Sequence, residues 1–177
     1  MGTRLVRAEA LPGTTTVDVS DRTARELGFL RSFWLNEINN ARAFARVVDQ
    51  AAVSAELSHC QLFNPAGSGI TIVIRRVSLR LLTAGEFSLT SHNIELTTDH
   101  NPGFNLDSGA TDGSGRVRRQ TNTMVLGTNL ENYNAADTGT VVPVDDWWMR
   151  LGAGEGFNVV SNVANIRMVV NFRWIEF

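Results

Sequence analysis

Leu57-Ser58-His59-Cys60-Gln61-Leu62-Phe63 leads into Asn64-Pro65-Ala66-Gly67-Ser68-Gly69 and then into Ile70-Thr71-Ile72-Val73-Ile74-Arg75-Arg76-Val77-Ser78-Leu79-Arg80-Leu81-Leu82. Two strand-forming runs flank a compact turn. Pro65 fixes φ and has no N–H for a ladder, so the first strand must end there. Gly67 and Gly69 permit positive φ, and Asn64 and Ser68 can bond nearby backbone groups. We therefore expect a β-hairpin or a close strand-to-strand corner. The turn lacks the Lys of a phosphate-binding loop, because Gly69 is followed by Ile70-Thr71.

Apolar parity changes within the second run. Ile70, Ile72 and Ile74 share one face, whereas Val77, Leu79 and Leu81 share the opposite one. A bulge at Arg75-Arg76, or a strand that bends between sheets, reconciles the two halves. In the last run Ile166, Met168, Val170, Phe172 and Trp174 fall on one face, which is expected to be core.

Candidate strands are 57–63, 70–82, 86–90, 92–98, 116–126, 140–144, 146–151, 156–161 and 166–176. Clusters such as Thr83-Ala84-Gly85 and Gly152-Ala153-Gly154-Glu155-Gly156 separate them. Short strands with Gly- and Asn-rich turns argue for a mainly β protein, an antiparallel jelly-roll-like sandwich. No alternating βαβ pattern is present.

Residues 1–56 read differently, as an N-terminal arm ahead of a sandwich body at 57–177. Leu27, Leu30, Trp34, Ile38, Ala41, Ala45 and Val48 follow helical spacing, so a short helix within 21–50 is one expectation. Gly28 and Asn39-Asn40 weaken it. Extended segments at Ser32–Leu35 and Ala43–Val48 are the competing one.

With 43% hydrophobic residues the 177-residue chain can bury a core, and its net charge of -2 gives no general drive toward nucleic acid or anionic membranes. All 16 basic residues are Arg, whose planar fork suits bidentate pairing with carboxylates. The single cysteine, Cys60, cannot form an intrachain disulfide and reads as a small buried hydrophobe. Met1–Arg7 has no apolar signal-peptide region and no run reaches membrane-spanning length. We expect a chain made in a cytoplasm that stays soluble or joins an assembly there.

No residue is assigned a catalytic, cofactor-binding or metal-binding role. The polar segment from Thr98 to Gly115 has oxygen donors that suit Ca²⁺, but not the spacing of an EF-hand. A plain surface loop is the simpler expectation. His59, His92 and His100 lack His-x-His spacing, and no Gly-x-Ser-x-Gly elbow supports a hydrolase. Arg75, Arg76 and Arg80 form one basic cluster, and Arg116, Arg118 and Arg119 another. Without interleaved aromatics they suit carboxylate partners better than single-stranded nucleic acid. Trp147-Trp148 places one ring in the core and leaves the other for an arm, a subunit or a carbohydrate.

Two places carry a family resemblance. One is His59–Gly69 with the strand after it; the other is Leu151-Gly152-Ala153-Gly154-Glu155-Gly156-Phe157 with the segment ending Asn171-Phe172-Arg173-Trp174-Ile175-Glu176. Together they resemble small structural proteins of tailed bacteriophages: head decoration, cement or minor tail proteins. The resemblance implies a β-sandwich, often jelly-roll, body, a homotrimer and no catalytic residues. The expected function is a capsid decoration protein on the surface of the virion, with the major capsid protein and its own copies as partners. Neither nucleic acid nor membrane is an expected partner. A tail, fibre or spike component that binds a host receptor or glycan is the alternative.

Overall fold

The structure is a computed structural model that describes residues 35–40, 42–82, 84–107, 109–135, 141–144 and 149–177. The described chain contains β1 (Ala43–Gln50), β2 (Leu57–Phe63), β3 (Ile72–Leu81), β4 (Gly85–Ser91), β5 (Thr98–Pro102), β6 (Phe104–Asn105), β7 (Arg116–Asn122), β8 (Thr128–Ala135), β9 (Val141–Val144), β10 (Met149–Leu151), β11 (Gly156–Ser161) and β12 (Met168–Glu176). They form two antiparallel sheets of six strands. The first runs β10-β3-β12-β1-β6, with β9 also pairing β3. The second runs β5-β7-β2-β11-β4-β8. The fold is thus mainly β, an antiparallel β-sandwich, as the run of short strands implied. Consecutive strands alternate between the layers from β1 to β4, and again from β10 to β12.

The Asn64–Gly69 turn is a corner between sheets and not a hairpin, because β2 lies in one layer and β3 in the other. Gly67 and Gly69 take φ of 76° and 72°, the left-handed values that a side chain resists. Asn64 is fully buried and holds the corner together. Its Nδ2 donates to the carbonyls of Ile70 (2.9 Å) and Leu151 (3.1 Å), and its Oδ1 accepts from the Ser68 hydroxyl (2.7 Å). Its backbone N–H donates to the Glu155 carbonyl (2.9 Å), and its own carbonyl accepts from the Gly154 N–H (2.8 Å). The two stretches singled out in the sequence, 59–69 and 151–157, therefore meet at one side chain.

The parity change in β3 is resolved by a bulge at the place the sequence indicated. Arg173 of β12 pairs with Arg76, but the next residue, Trp174, pairs with Ile74, so Arg75 is the inserted residue. Ile72 and Ile74 before it, and Val77 and Leu79 after it, all turn into the core. Ile166, Met168, Val170, Phe172 and Trp174 are buried as expected, and Ile175 is buried as well. The opposing layer contributes Cys60, Leu62, Phe87, Leu89, Val117, Phe157 and Val159. Phe44 stacks on Trp174 (6.0 Å between centroids), and Phe87 on Tyr133 (5.0 Å). Cys60 is buried and unbridged, and burial raises its thiol pKa far above the usual range.

Other expectations need correction. The extended alternative at Ala43–Val48 holds: β1 pairs along its length with β12. Residues 43–50 thus belong to the sandwich and not to an arm ending at 56. Helix within 21–50 reduces, among the described residues, to a single turn at 35–39, and residues 21–34 lie outside them. The expected strand at 92–98 is instead a loop over 92–97, and Thr98 opens β5. β5 and β6 are strands where a loop was expected, and a further missed strand is β8, Thr-Asn-Leu-Glu-Asn-Tyr-Asn-Ala, whose Asn content hides it. It lies at the edge of its sheet, where polar residues blunt edge-to-edge association.

Substituting Asn64 by Ala removes three side-chain hydrogen bonds and strands two carbonyls. We expect a loss of about 2–4 kcal/mol, read as a lower urea midpoint at unchanged slope.

Candidate interaction face

The two sheets use their outer faces in different ways. On the second sheet the outer face is itself covered. His59, Gln61, Asn158 and Thr90 point away from the hydrophobic core yet are all buried. Residues 92–97 and 123–127 pass over them. Gln61 clamps the first of these loops, donating to the Ile94 carbonyl (3.0 Å) and accepting from the Leu96 N–H (2.9 Å). Glu95 of the same loop pairs with Arg118 (2.6 Å) and Arg116 (3.2 Å). Thr90 holds the second loop by donating to the Leu126 carbonyl (2.8 Å).

Arg116, Arg118 and Arg119 are thus used inside the molecule, Arg119 by donating to the Asp49 carbonyl at 2.7 Å. They are not a cluster held for a partner. Burial lowers the pKa of both His59 and His92. His59 falls from 6.5 to about 4, mainly through burial, with His92 lowering it further and the Met124 carbonyl opposing. Apart from that weak approach of the Met124 backbone, neither ring nitrogen of His59 has a hydrogen-bond partner, and neither amide atom of Asn158 has one.

The Thr98–Gly115 segment is not one plain loop. It contains β5 and β6, and its far end is fastened by Glu176. That carboxylate accepts from Ser114 N–H (2.9 Å), Gly115 N–H (2.8 Å) and Trp174 Nε1 (2.9 Å). Asn105, one of its oxygen donors, spends its side chain on Thr111 and Asp107. Among the described residues no group of three His, Cys, Asp or Glu is placed to hold a metal ion. Trp147 and Trp148 lie outside the described residues.

The first sheet has an open outer face. Antiparallel register lines up Phe104, Ala45, Arg173 and Arg76 across β6, β1, β12 and β3, and Val47, Asn171 and Ser78 in the next row. Phe104 is 61% exposed and Val47 51%. Arg76, Arg80 and Arg173 are exposed as well. The three central strands, β1, β3 and β12, carry Arg46, Arg75, Arg76, Arg80 and Arg173 against only Asp49 and Glu176.

Both acids are already engaged, Asp49 by the guanidinium of Arg167 (Nε to Oδ1, 3.0 Å) and Glu176 by the loop above. A chain with a net charge of -2 has thus gathered cations on one sheet. Sequence reasoning found Arg75, Arg76 and Arg80. It missed Val47, Phe104 and Arg173 as members of the same surface, because only strand pairing brings them together. Among the described residues no helix is long and apolar enough to cross a membrane. Comparison of the chain with protein-family models, curated proteins and solved structures gives no match.

The buried histidine makes stability pH-dependent. His59 has a folded-state pKa below its unfolded one, so the stability linked to it is complete above about 6.5 and is lost as pH falls toward 4. His59→Gln cannot titrate. The stability difference between wild type and variant, from urea unfolding at pH 7 and pH 4, should shift against the wild type by on the order of 2–3 kcal/mol. A flat difference contradicts the assignment.

Proposed function

We propose that the protein is a non-enzymatic structural subunit of a virion, a capsid decoration or cement protein. It binds the major capsid protein and reinforces a phage head as a homotrimer. The observation that carries the proposal is the open face of the first sheet. It combines exposed Phe104 and Val47 with Arg76, Arg80 and Arg173 on a rigid strand framework. Apolar anchors with Arg around them are the composition of protein interfaces, where Arg pairs bidentately with carboxylates. Strands give such a surface a fixed shape, so little ordering entropy is lost on docking.

The strand order supports the jelly-roll reading. β1-β12-β3-β10 in one layer and β2-β11-β4-β8 in the other is the way two Greek keys interleave, with β5, β6 and β7 inserted between β4 and β8. The resemblance of residues 59–69 and 151–157 to phage structural proteins points the same way, since those stretches build one corner through Asn64. No catalytic residue is part of the proposal.

A second reading, a tail or spike component that binds a host receptor or glycan, draws on the loops over the other sheet. Ile94 and Met124 stand 69% and 62% exposed there. Adding purified protein to expanded, undecorated capsids separates the two. Decoration predicts saturable binding and higher resistance of the capsids to heat. Arg80→Glu with Arg173→Glu should weaken that binding by about tenfold or more and leave the unfolding midpoint nearly unchanged, since exposed charges contribute little to stability. Binding to host cells or glycans with capsids left bare favours the second reading.

A further inference from the structure

The corner where β6 ends against β1 holds a groove of about 490 Å³, lined by Ala45, Arg46, Val47, Phe104, Leu106, Asn171 and Arg173. We propose that it binds an extended peptide segment of a partner protein, one that carries carboxylates beside a small apolar side chain. The proposal rests on the docking-face reading above and narrows it to one occupant.

Four observations converge on that chemistry. First, β6 pairs only with Phe44 and Ala45, and beyond Ala45 this edge of β1 pairs with no strand among the described residues. A strand edge is a template for main-chain pairing, which is how extended peptides are captured by sheets. Second, Phe104 and Val47 are exposed apolar walls, while the short Ala45 between Phe104 and Arg173 keeps the floor low. Third, the lining has two cations, Arg46 and Arg173, and no acid.

Neither cation is ion-paired among the described residues, and the nearest acid on β1, Asp49, is held by Arg167. Charge complementarity therefore selects a carboxylate-bearing segment and rejects a basic one. Fourth, Oδ1 of Asn171 is buried without a hydrogen-bond partner, so a main-chain N–H entering the groove satisfies it. A nucleic-acid strand fits less well: one exposed ring, Phe104, does not make a stacking platform for successive bases.

The test uses the full chain and two short probe peptides, one alternating Glu and Val and one alternating Lys and Val, together with oligo-dT. Fluorescence anisotropy gives affinities, and amide chemical shifts of the labelled protein locate the site. We expect saturable binding of the Glu/Val peptide, with shifts at residues 45–48, 104 and 171, and none of the Lys/Val peptide. Arg46→Glu with Arg173→Glu should lower the affinity for the Glu/Val peptide by about tenfold or more and reverse the preference, with spectral dispersion confirming that the variant is folded. Equal response to both peptides, shifts elsewhere, or displacement of the Glu/Val peptide by oligo-dT overturns the proposal. A protein that decorates capsids but ignores the Glu/Val peptide rejects this occupant and leaves the docking face standing. One that binds the peptide in the groove but no capsid supports the groove and rejects decoration.

Discussion

The fold depends on Asn64. A β-sandwich must carry its chain from one layer to the other, and each crossing leaves backbone polar groups at the rim of an apolar core. At the crossing from β2 to β3 a buried side-chain amide and its own backbone occupy four of them, from Ile70, Leu151, Glu155 and Gly154, and take up the Ser68 hydroxyl as well. Asn suits this position because it both donates and accepts. Asp could not donate to the two carbonyls, and a buried carboxylate would add a desolvation cost. The glycines at 67 and 69 close the turn by accepting positive φ, and with the turn set, β2 and β3 enter different sheets.

The bulge at Arg75 solves a second problem, that of a long strand with two hydrophobic parities. Without an inserted residue, either Ile72 and Ile74 or Val77 and Leu79 would face solvent. The insertion turns both pairs inward and places Arg76 opposite Arg173 on the exposed face. Like charges facing each other across strands are unfavourable by themselves. The bulge that completes the core thus also concentrates cations on the outer surface. Core packing and surface charge are set here by the same backbone irregularity.

The second sheet shows the opposite treatment of an outer face. Its polar side chains are spent on holding two loops, with Gln61 and Thr90 on strands either side of β11, which carries Asn158. Arg116 and Arg118 both pair with Glu95 within the same molecule. Two basic clusters that look alike in sequence therefore differ in role. One is consumed in fastening a loop, and the other lies on the first sheet, where Arg76 and Arg80 are exposed on the outer face. No local property of the residues separates them, because the partner, Glu95, lies more than twenty positions away from both arginines.

Much of the body was legible because local chemistry and pattern agree there. β2 and β11 lie where alternation and turn residues placed them, and the bulge at Arg75 was readable because a side-chain period of two cannot hide an insertion. The buried face of β12 and the inert character of Cys60 follow from the same periodicity and from apolar context. What the sequence alone could not show is every feature that needs strand pairing between distant segments. The place of β1 beside β12, the short pairing of β6, and Glu176 fastening residues 114 and 115 are of this kind. So is β8, whose Asn-rich residues form a strand only because β4 offers a ladder. The candidate face belongs to this second group: Phe104, Val47 and Arg173 become neighbours because hydrogen-bonded register, and not chain proximity, sets which side chains share a surface.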